Sequence, residues 1–555
     1  MNGTGLGALA ILGIAAAAAR AGAEPADRVE LSVVGTNDQH GYLEVPSGQG
    51  GAALLGGYLR ALRARRPGRV LLVDGGDLFQ GTLVSNTAEG APVIRAMNAL
   101  GYHAAAVGNH EFDFGPVGPA VVARPGENPR GALEARAKEA RFPLLDVNVV
   151  VRASGKRWAP DNIRPYTIVK LDGVVVGIVG GTTEEAATTT LPLNVRDLEF
   201  QGLGGPIARA AMDARAAGAE IVVAVVHAGG VCRRIGDPHD LATCKPDEEV
   251  MRLARQVAGR VDAIVAGHTH KGMAHFVAGV PVIESFAFGV AFGRIDLVWD
   301  RKQKKLRASE TIIHPPRRMK AGDDYEGATV VPDAAVRASY QADLDRTAAL
   351  EKQPLGVTLS GPFWENHGNE SPLGNLVADW TRALVPGADF ALVNGGSLRA
   401  NLAAGPLTYG ALFRAQPFDN RAASVTVTGA ALRRALALAA EHDMTYLVSG
   451  LRYRARCDKG KVVVDVTRED AKPWSDTARY RIAASDFLAT GGAGMLSILG
   501  QPIQDDIRLY SERPAMRDEF VALLRKTPGA VLDPARWYDP KKLRADVPEG
   551  AMKCE

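Results

Sequence analysis

The apolar positions of this chain come in short, β-branched runs. Each closes on Gly, Asp, Asn or His, and several lead into an Ala-rich stretch of helical length. In the first half the runs are Glu30 to Val34, Val70 to Val73, Ala104 to Val107, Leu144 to Val150, Val174 to Val179, Ile221 to Val226 and Ala263 to Val265. Pro281 to Phe286 and Arg294 to Trp299 read as later strands of the same unit. Strands alternating with helices predict a layered α/β domain. From Arg301 to Gly327 the chain turns polar around a turn at Pro316. Pro332 to Leu350 then carries a helical Ala/Asp/Arg pattern that reads as the connection between domains. Beyond it, strands at Gly356 to Ser360, Phe390 to Val393, Ala423 to Val427, Lys461 to Val466 and Tyr480 to Ala484 mix with helices at Asn375 to Leu384 and Ala430 to Ala440. This predicts a second, α+β domain. The Pro- and Gly-rich segment Gly115 to Gly131 reads as a surface insertion. The resulting boundaries are 28–327, a linker helix over 328–353, and 354–555.

A length of 555 residues exceeds what one core holds, which agrees with two domains. Hydrophobic residues at 46% and charged residues at 23% exclude a disordered or low-complexity chain. Lys plus Arg (65) nearly balances Asp plus Glu (62) with no long run of one sign, so no nucleic-acid or membrane-surface partner is expected. Leu6 to Ala19 is apolar and is followed by Ala21-Gly22-Ala23, so residues 1–23 read as a signal peptide cleaved before Glu24, although its start carries no Lys or Arg. A periplasmic or secreted monomer with no membrane span in the mature chain is expected. Of the three pairings open to Cys232, Cys244, Cys457 and Cys554, Cys232 with Cys244 is preferred because it closes a short polar loop. Cys457 with Cys554 would then tie down the C-terminus.

Five motifs carry the chemistry: Thr36-Asn37-Asp38-Gln39-His40-Gly41, Asp74-Gly75-Gly76-Asp77, Gly108-Asn109-His110-Glu111-Phe112-Asp113, Val226-His227-Ala228-Gly229 and Gly267-His268-Thr269-His270. They follow strand runs, where open α/β sheets gather their ligand sites. Asp38 and His40 flank one residue, so in an extended strand end they point to one side; His268 and His270 repeat that spacing. Asp77 offers two oxygens able to bridge metals roughly 3.5 to 4 Å apart, and Asn109 and His227 add an amide oxygen and an imidazole. Mixed N/O donors suit Zn, Mn, Co or Fe better than Ca or Mg. Any one of these residues alone reads as a turn, cap or hydrogen-bonded structural group. Five of the eleven histidines fall in the motifs, and the other six, His239 and His367 among them, take a structural or surface reading.

This set resembles the calcineurin-like metallophosphoesterases, and within them the exported 5′-nucleotidase and UDP-sugar hydrolase group, over about Glu30 to Leu499. The resemblance implies two divalent ions, one on Asp38, His40, Asp77 and His270 and the other on Asp77, Asn109, His227 and His268. It also implies attack on phosphorus by a hydroxide held between the metals, with His110 neutralising phosphoryl charge and Asp113 orienting that imidazole. The bland reading of Asp113 is a helix N-cap. Many members carry Gln or Asn where this chain has His270, so its metal preference can differ.

In the second domain, Asn394-Gly395-Gly396-Ser397-Leu398-Arg399 resembles the family loop whose Arg grips phosphate as a bidentate donor. Gln416-Pro417-Phe418-Asp419-Asn420 and Asp486-Phe487-Leu488-Ala489-Thr490-Gly491-Gly492 resemble the segments whose aromatic rings sandwich a base. Phe418 and Phe487 are the implied stacking pair, with Asn420 as a polar base contact. Two departures bear on the substrate: Asn369 precedes Glu370 where members carry Arg, and Ala493 stands where many carry a ribose-reading Asp. The expected function is hydrolysis of phosphate monoesters, foremost nucleoside 5′-monophosphates. 2′,3′-Cyclic nucleotides or UDP-sugars are the alternatives on the same site, and a thiosulfate-processing relative is a weaker one. A non-catalytic binding protein would show broken ligands, and none is broken.

Overall fold

The computed structural model describes residues 27–45, 47–366, 368–494 and 506–554; the expected signal peptide and His367 lie outside them. Two mixed sheets build the first domain. One runs in the order Lys305–Leu306, Ala291–Asp300, Arg28–Thr36, Val70–Asp74, Ala104–Ala106, Leu144–Leu145, Ile163–Arg164, with Ile312–Arg318 paired to Ala291–Asp300. The other runs Gly272–Val277, Val280–Ser285, Ala263–Val265, Ile221–His227, Val174–Thr182, Tyr166–Leu171. Alternate side chains decide the layering. Leu31, Val33, Leu71 and Val73 meet Ile178, Val223, Val225 and Val265 in one core between the sheets. Val34, Val70 and Leu72 instead pack under the helices Ala52–Arg65 and Ala91–Leu100. Val222, Ala224 and Val226 pack under Gly204–Ala216 and Glu249–Gln256. A strand covered on both faces needs an apolar residue at every position, which is why the runs are unbroken rather than alternating.

Three expected elements differ. The run Leu144 to Val150 is two strands, Leu144–Leu145 and Val149–Val151, in different sheets. Between them the buried Asp146 accepts from the Val149 amide (3.2 Å), and Asn148 donates to the carbonyls of Thr182 and Gln201 (2.7 Å each), so polar groups turn the chain inside an apolar stretch. The polar segment around Pro316 contains the edge strand Ile312–Arg318. Pro315 and Pro316 fall at the register shift between Phe292 and Arg294, where no ladder N–H is needed. The linker is two helices, Ala334–Ala338 and Gln341–Glu351, divided at the fully buried Tyr340, whose hydroxyl donates to Glu44 (2.8 Å). Asp333 caps the first through the amides of Ala335 and Val336 and pairs with Arg60 at 2.5 Å, so the connection is fastened to the first domain.

The second domain centres on a sheet in the order Tyr446–Ser449, Phe390–Asn394, Arg479–Ser485, Ala422–Thr428, Ile507–Leu509. Ala391 and Val393 face the helix Pro372–Leu384, while Phe390 and Leu392 face Gly429–Glu441. Both preferred disulfides, Cys232–Cys244 and Cys457–Cys554, are formed. Among the described residues no helix is long and apolar enough to cross a membrane.

Candidate active site

The five motifs meet at the C-terminal ends of the parallel strands, on loops that are not extended. Asp38, His40, Asp77, His268 and His270 all take positive φ (50°, 47°, 59°, 84° and 58°), the left-handed region that non-glycine residues rarely occupy. The i, i+2 pairs therefore converge through left-handed turns beyond the strands and not through strand pleating. Such backbone is held from outside. The amides of Asp38 and His40 donate to the carbonyls of Gly76 and Asp77 (2.9 Å each), and the Phe288 amide donates to the Asp38 carbonyl (2.7 Å). Glu111, unassigned from sequence, pins two of these loops: it accepts from the amides of Gly108 (2.7 Å), Asp77 (2.9 Å) and Leu78 (2.7 Å). Burial and the neighbouring Asp77 push its carboxyl up to about 8.

One ligand atom from each of Asp38, His40, Asp77 and His270 lies within 4.8 Å of the others. A second group adjoins it: His227 Nε2 stands 3.2 Å from Asp77 Oδ2, 2.9 Å from Asn109 Oδ1 and 3.2 Å from His268 Nδ1. Acceptors face acceptors in both groups. His40 and His227 donate through Nδ1 to the carbonyls of Gln80 (2.8 Å) and Gly75 (2.9 Å), so their Nε2 lone pairs point inward. His40 Nε2 then lies 3.0 Å from His270 Nε2. Buried lone pairs at such separations repel unless a cation sits among them, and carboxylate, amide and imidazole donors are those a transition metal takes. Without an ion the cluster takes that positive charge as a proton on His227, the place a divalent cation would fill. Burial opposes ionisation of Asp38, yet His270 and His227 hold it down at about 2. Burial opposes the His227 cation, yet Asp77 and Asp38 push it up to about 10. These residues fit divalent metal.

His110 sits beside this cluster. Its amide donates to Asp77 Oδ1 (2.9 Å) and its Nδ1 meets Asp113 Oδ2 at 2.6 Å. Burial disfavours its cation, but Asp113 and Asp77 outweigh that and raise its pKa. Asp113 closes the short helical turn His110–Phe112 at its C-terminal side, so it is no helix N-cap.

The second domain closes over this centre. Arg399 reaches His40 Nε2 with one guanidinium nitrogen (3.2 Å), and the Asn86 side-chain amide of the first domain donates to the Pro417 carbonyl (3.1 Å). Between the domains lies a cavity of about 710 Å³ whose lining includes His110, Asn394, Arg399, Phe418, Asn420 and Phe487. The Phe418 ring is 5.4 Å from the His110 ring and 5.9 Å from the Arg399 guanidinium carbon. Gly492 packs on the Phe487 ring so closely that a Cβ there would come within 2.4 Å of it.

Among the described residues the cavity lining holds one arginine, Arg399, and includes neither Asn369 nor Glu370. Glu370 is spent on structure, accepting from the amides of Arg544 (2.5 Å) and Ala545 (2.7 Å). Ala493 lines the cavity in left-handed backbone (φ 51°), and the nearby Asp419 is committed to Arg517 at 2.6 Å. His239 stacks on Phe276 as a surface group, but His442, read by default as structural or surface, lines the cavity with Met444 and Thr445. No motif marks those three.

Comparison with known proteins agrees with this architecture. Residues 31–272 match the calcineurin-like phosphoesterase family and residues 352–501 the 5′-nucleotidase C-terminal domain, together well over half of the chain. Protein UshA of Yersinia enterocolitica is 27% identical over 84% of this chain and 86% of its own length. Endonuclease YhcR of Bacillus subtilis is 26% identical over 86% of this chain, which spans only 38% of that longer protein. The crystal structure of a 5′-nucleotidase precursor from Thermus thermophilus superposes with a TM-score of 0.71 at 26% identity, covering 91% of this chain and 97% of that one. The chain belongs to the family that joins a calcineurin-like phosphoesterase domain to a 5′-nucleotidase C-terminal domain.

Proposed function

We propose that this protein is an exported, monomeric, metal-dependent phosphatase that hydrolyses phosphate monoesters, foremost nucleoside 5′-monophosphates. The observation that carries this reading is the convergence of inward-facing lone pairs from Asp38, His40, Asp77, Asn109, His227, His268 and His270 beneath a cleft that also holds His110, Arg399 and two phenylalanines. Asp38, His40, Asp77 and His270 would hold one ion, and Asp77, Asn109, His227 and His268 a second. Zn, Mn, Co or Fe suits these donors. When bound, the ions supply Lewis-acid charge and lower the pKa of water toward neutrality.

The chain's own residues do the rest. Asp113 holds His110 through Nδ1, which leaves Nε2 as the nitrogen free to donate a proton toward a phosphoryl or leaving-group oxygen. Arg399 adds a fixed positive charge against the phosphate, and its guanidinium fork matches two oxygens at once. Phe418 and Phe487 offer aromatic faces to a base, with Asn420 beside them. A cavity of about 710 Å³ falls in the range of small-molecule sites.

The test is product formation by the metal-stripped and reloaded protein, separated by chromatography, in parallel from AMP (adenosine and phosphate), UDP-glucose (UMP and glucose 1-phosphate), 2′,3′-cyclic AMP (a nucleoside monophosphate) and p-nitrophenyl phosphate (p-nitrophenol and phosphate). AMP is expected to be preferred. Equal turnover of p-nitrophenyl phosphate would withdraw the nucleotide and leave a general phosphatase. N-terminal sequencing of the exported protein checks cleavage before Glu24, and size-exclusion chromatography the monomer.

A further inference from the structure

Three groups of this centre take their orientation from one short stretch, residues 185–191. It follows the strand Val174–Thr182 and holds a single helical turn, Ala186–Thr189. The Asn109 side-chain amide donates to the Thr189 carbonyl (3.2 Å), which turns its Oδ1 toward His227. The Thr190 hydroxyl (2.7 Å) and the Leu191 amide (3.3 Å) donate to Asp113 Oδ1, while the other oxygen of that carboxylate holds His110 Nδ1. Glu185 Oε2 lies 3.4 Å from His268 Nε2, the ring nitrogen turned away from His227.

None of these strap residues belongs to the donor set, and no motif points to them. Their effect is on degrees of freedom. An Asp carboxylate with one oxygen held by two donors cannot swing about its terminal torsion without breaking both, so the second oxygen stays on Nδ1. An imidazole whose outer nitrogen gives its proton to a carboxylate keeps the inner nitrogen as an acceptor. Thr190 is fully buried, so its hydroxyl has no solvent alternative to Asp113. The more exposed Glu185 acts through direction rather than burial.

We propose that residues 185–191 form a positioning strap for one side of the centre, in which Thr190 sets the His110–Asp113 pair and Glu185 sets the ring of His268. The kinetic part rests on the phosphatase reading above; the metal-affinity part does not. Thr190 and Glu185 are positioning residues that act through others, and neither need touch substrate.

Thr190→Val, Thr190→Ser and Glu185→Gln are compared with the wild type as full chains. Turnover of AMP and of p-nitrophenyl phosphate, metal content, and Zn or Mn affinity by chelator competition are measured. Thr190→Val keeps the shape and loses the hydroxyl. It is expected to lower kcat about 10- to 100-fold with KM nearly unchanged and full metal content, and Thr190→Ser to restore most of kcat. Glu185→Gln is expected to weaken binding of one ion about 10-fold and leave the other unchanged. Wild-type kcat in Thr190→Val, or a loss that Thr190→Ser does not restore, overturns the role of Thr190. Wild-type ion affinity in Glu185→Gln overturns the role of Glu185. A wild type that binds metal but releases no phosphate overturns the phosphatase reading alone, and the chelator result still decides the strap.

Discussion

Asp486 opens the turn that carries Phe487 into the cleft, and it is almost wholly buried. Its Oδ1 accepts from the Phe487 amide (2.9 Å) and its own amide donates to the Arg421 carbonyl (2.8 Å). Burial pushes its pKa up to about 7 from 3.8; Arg421 and the backbone donors offset only part of that. The sign follows. Below pH 4 the carboxyl is protonated in both folded and unfolded chains and contributes no difference. Between pH 4 and 7 the unfolded chain ionises while the folded one holds its proton, so stability falls by about 1.4 kcal/mol per pH unit, and above pH 7 the loss levels off at about 4 kcal/mol. Asn has the same shape, can still accept from the Phe487 amide, and carries no charge at any pH. Asp486→Asn is therefore expected to gain stability over the wild type as pH rises from 4 to 7 and to hold that gain to pH 8. Urea unfolding followed by fluorescence at half-unit pH steps reads the difference. Its slope isolates the carboxylate, because an amide that pairs poorly adds only a constant offset. A difference that is flat between pH 4 and 8 would mean that Asp486 titrates alike in the folded and unfolded chains.

His110→Ala is expected to lower turnover by about 10²- to 10⁴-fold with metal content unchanged, since the imidazole is outside the proposed donor set; loss of metal together with turnover would make it a ligand. Phe418→Leu and Phe487→Leu are expected to cut kcat/KM for AMP about 5- to 150-fold, the value of one stacked base, and to spare p-nitrophenyl phosphate; equal losses on both substrates would remove the rings from base recognition. Replacing Cys457 and Cys554 by Ser opens a crosslink spanning 97 residues and is expected to cost about 2 to 4 kcal/mol of second-domain stability. Denaturation of that double variant and of wild type with and without reductant checks it, and an unchanged midpoint would show that the crosslink is dispensable.

The strands were legible from sequence because a strand buried on both faces has no choice of residue, and alternate positions of Arg28–Thr36, Val70–Asp74 and Ile221–His227 enter two different cores. The run Leu144 to Val150 misled for the same reason: periodicity counts apolar residues and does not see that Asp146 and Asn148 spend their hydrogen bonds on a turn. The edge strand Ile312–Arg318 was hidden by its prolines, which an edge tolerates at a register shift. The donors could be named because each follows a strand end, and a strand end is a local property. Their convergence was argued from an extended backbone that the chain does not use.

Local residue pattern specifies an inventory: which strands are buried, which side chains with metal or proton chemistry stand at their ends, and that a second domain follows. Direction and partnership arise in the folded chain. Left-handed turns at Asp38, His40, Asp77, His268 and His270 aim the donors inward. Glu111 ties two loops together. Thr190 and Glu185 reach groups nearly eighty residues or more away in the chain. His442, Met444 and Thr445 arrive at the cleft without a motif. Each of these depends on contacts between distant segments, and a contact of that kind leaves no period and no spacing in the sequence from which to read it.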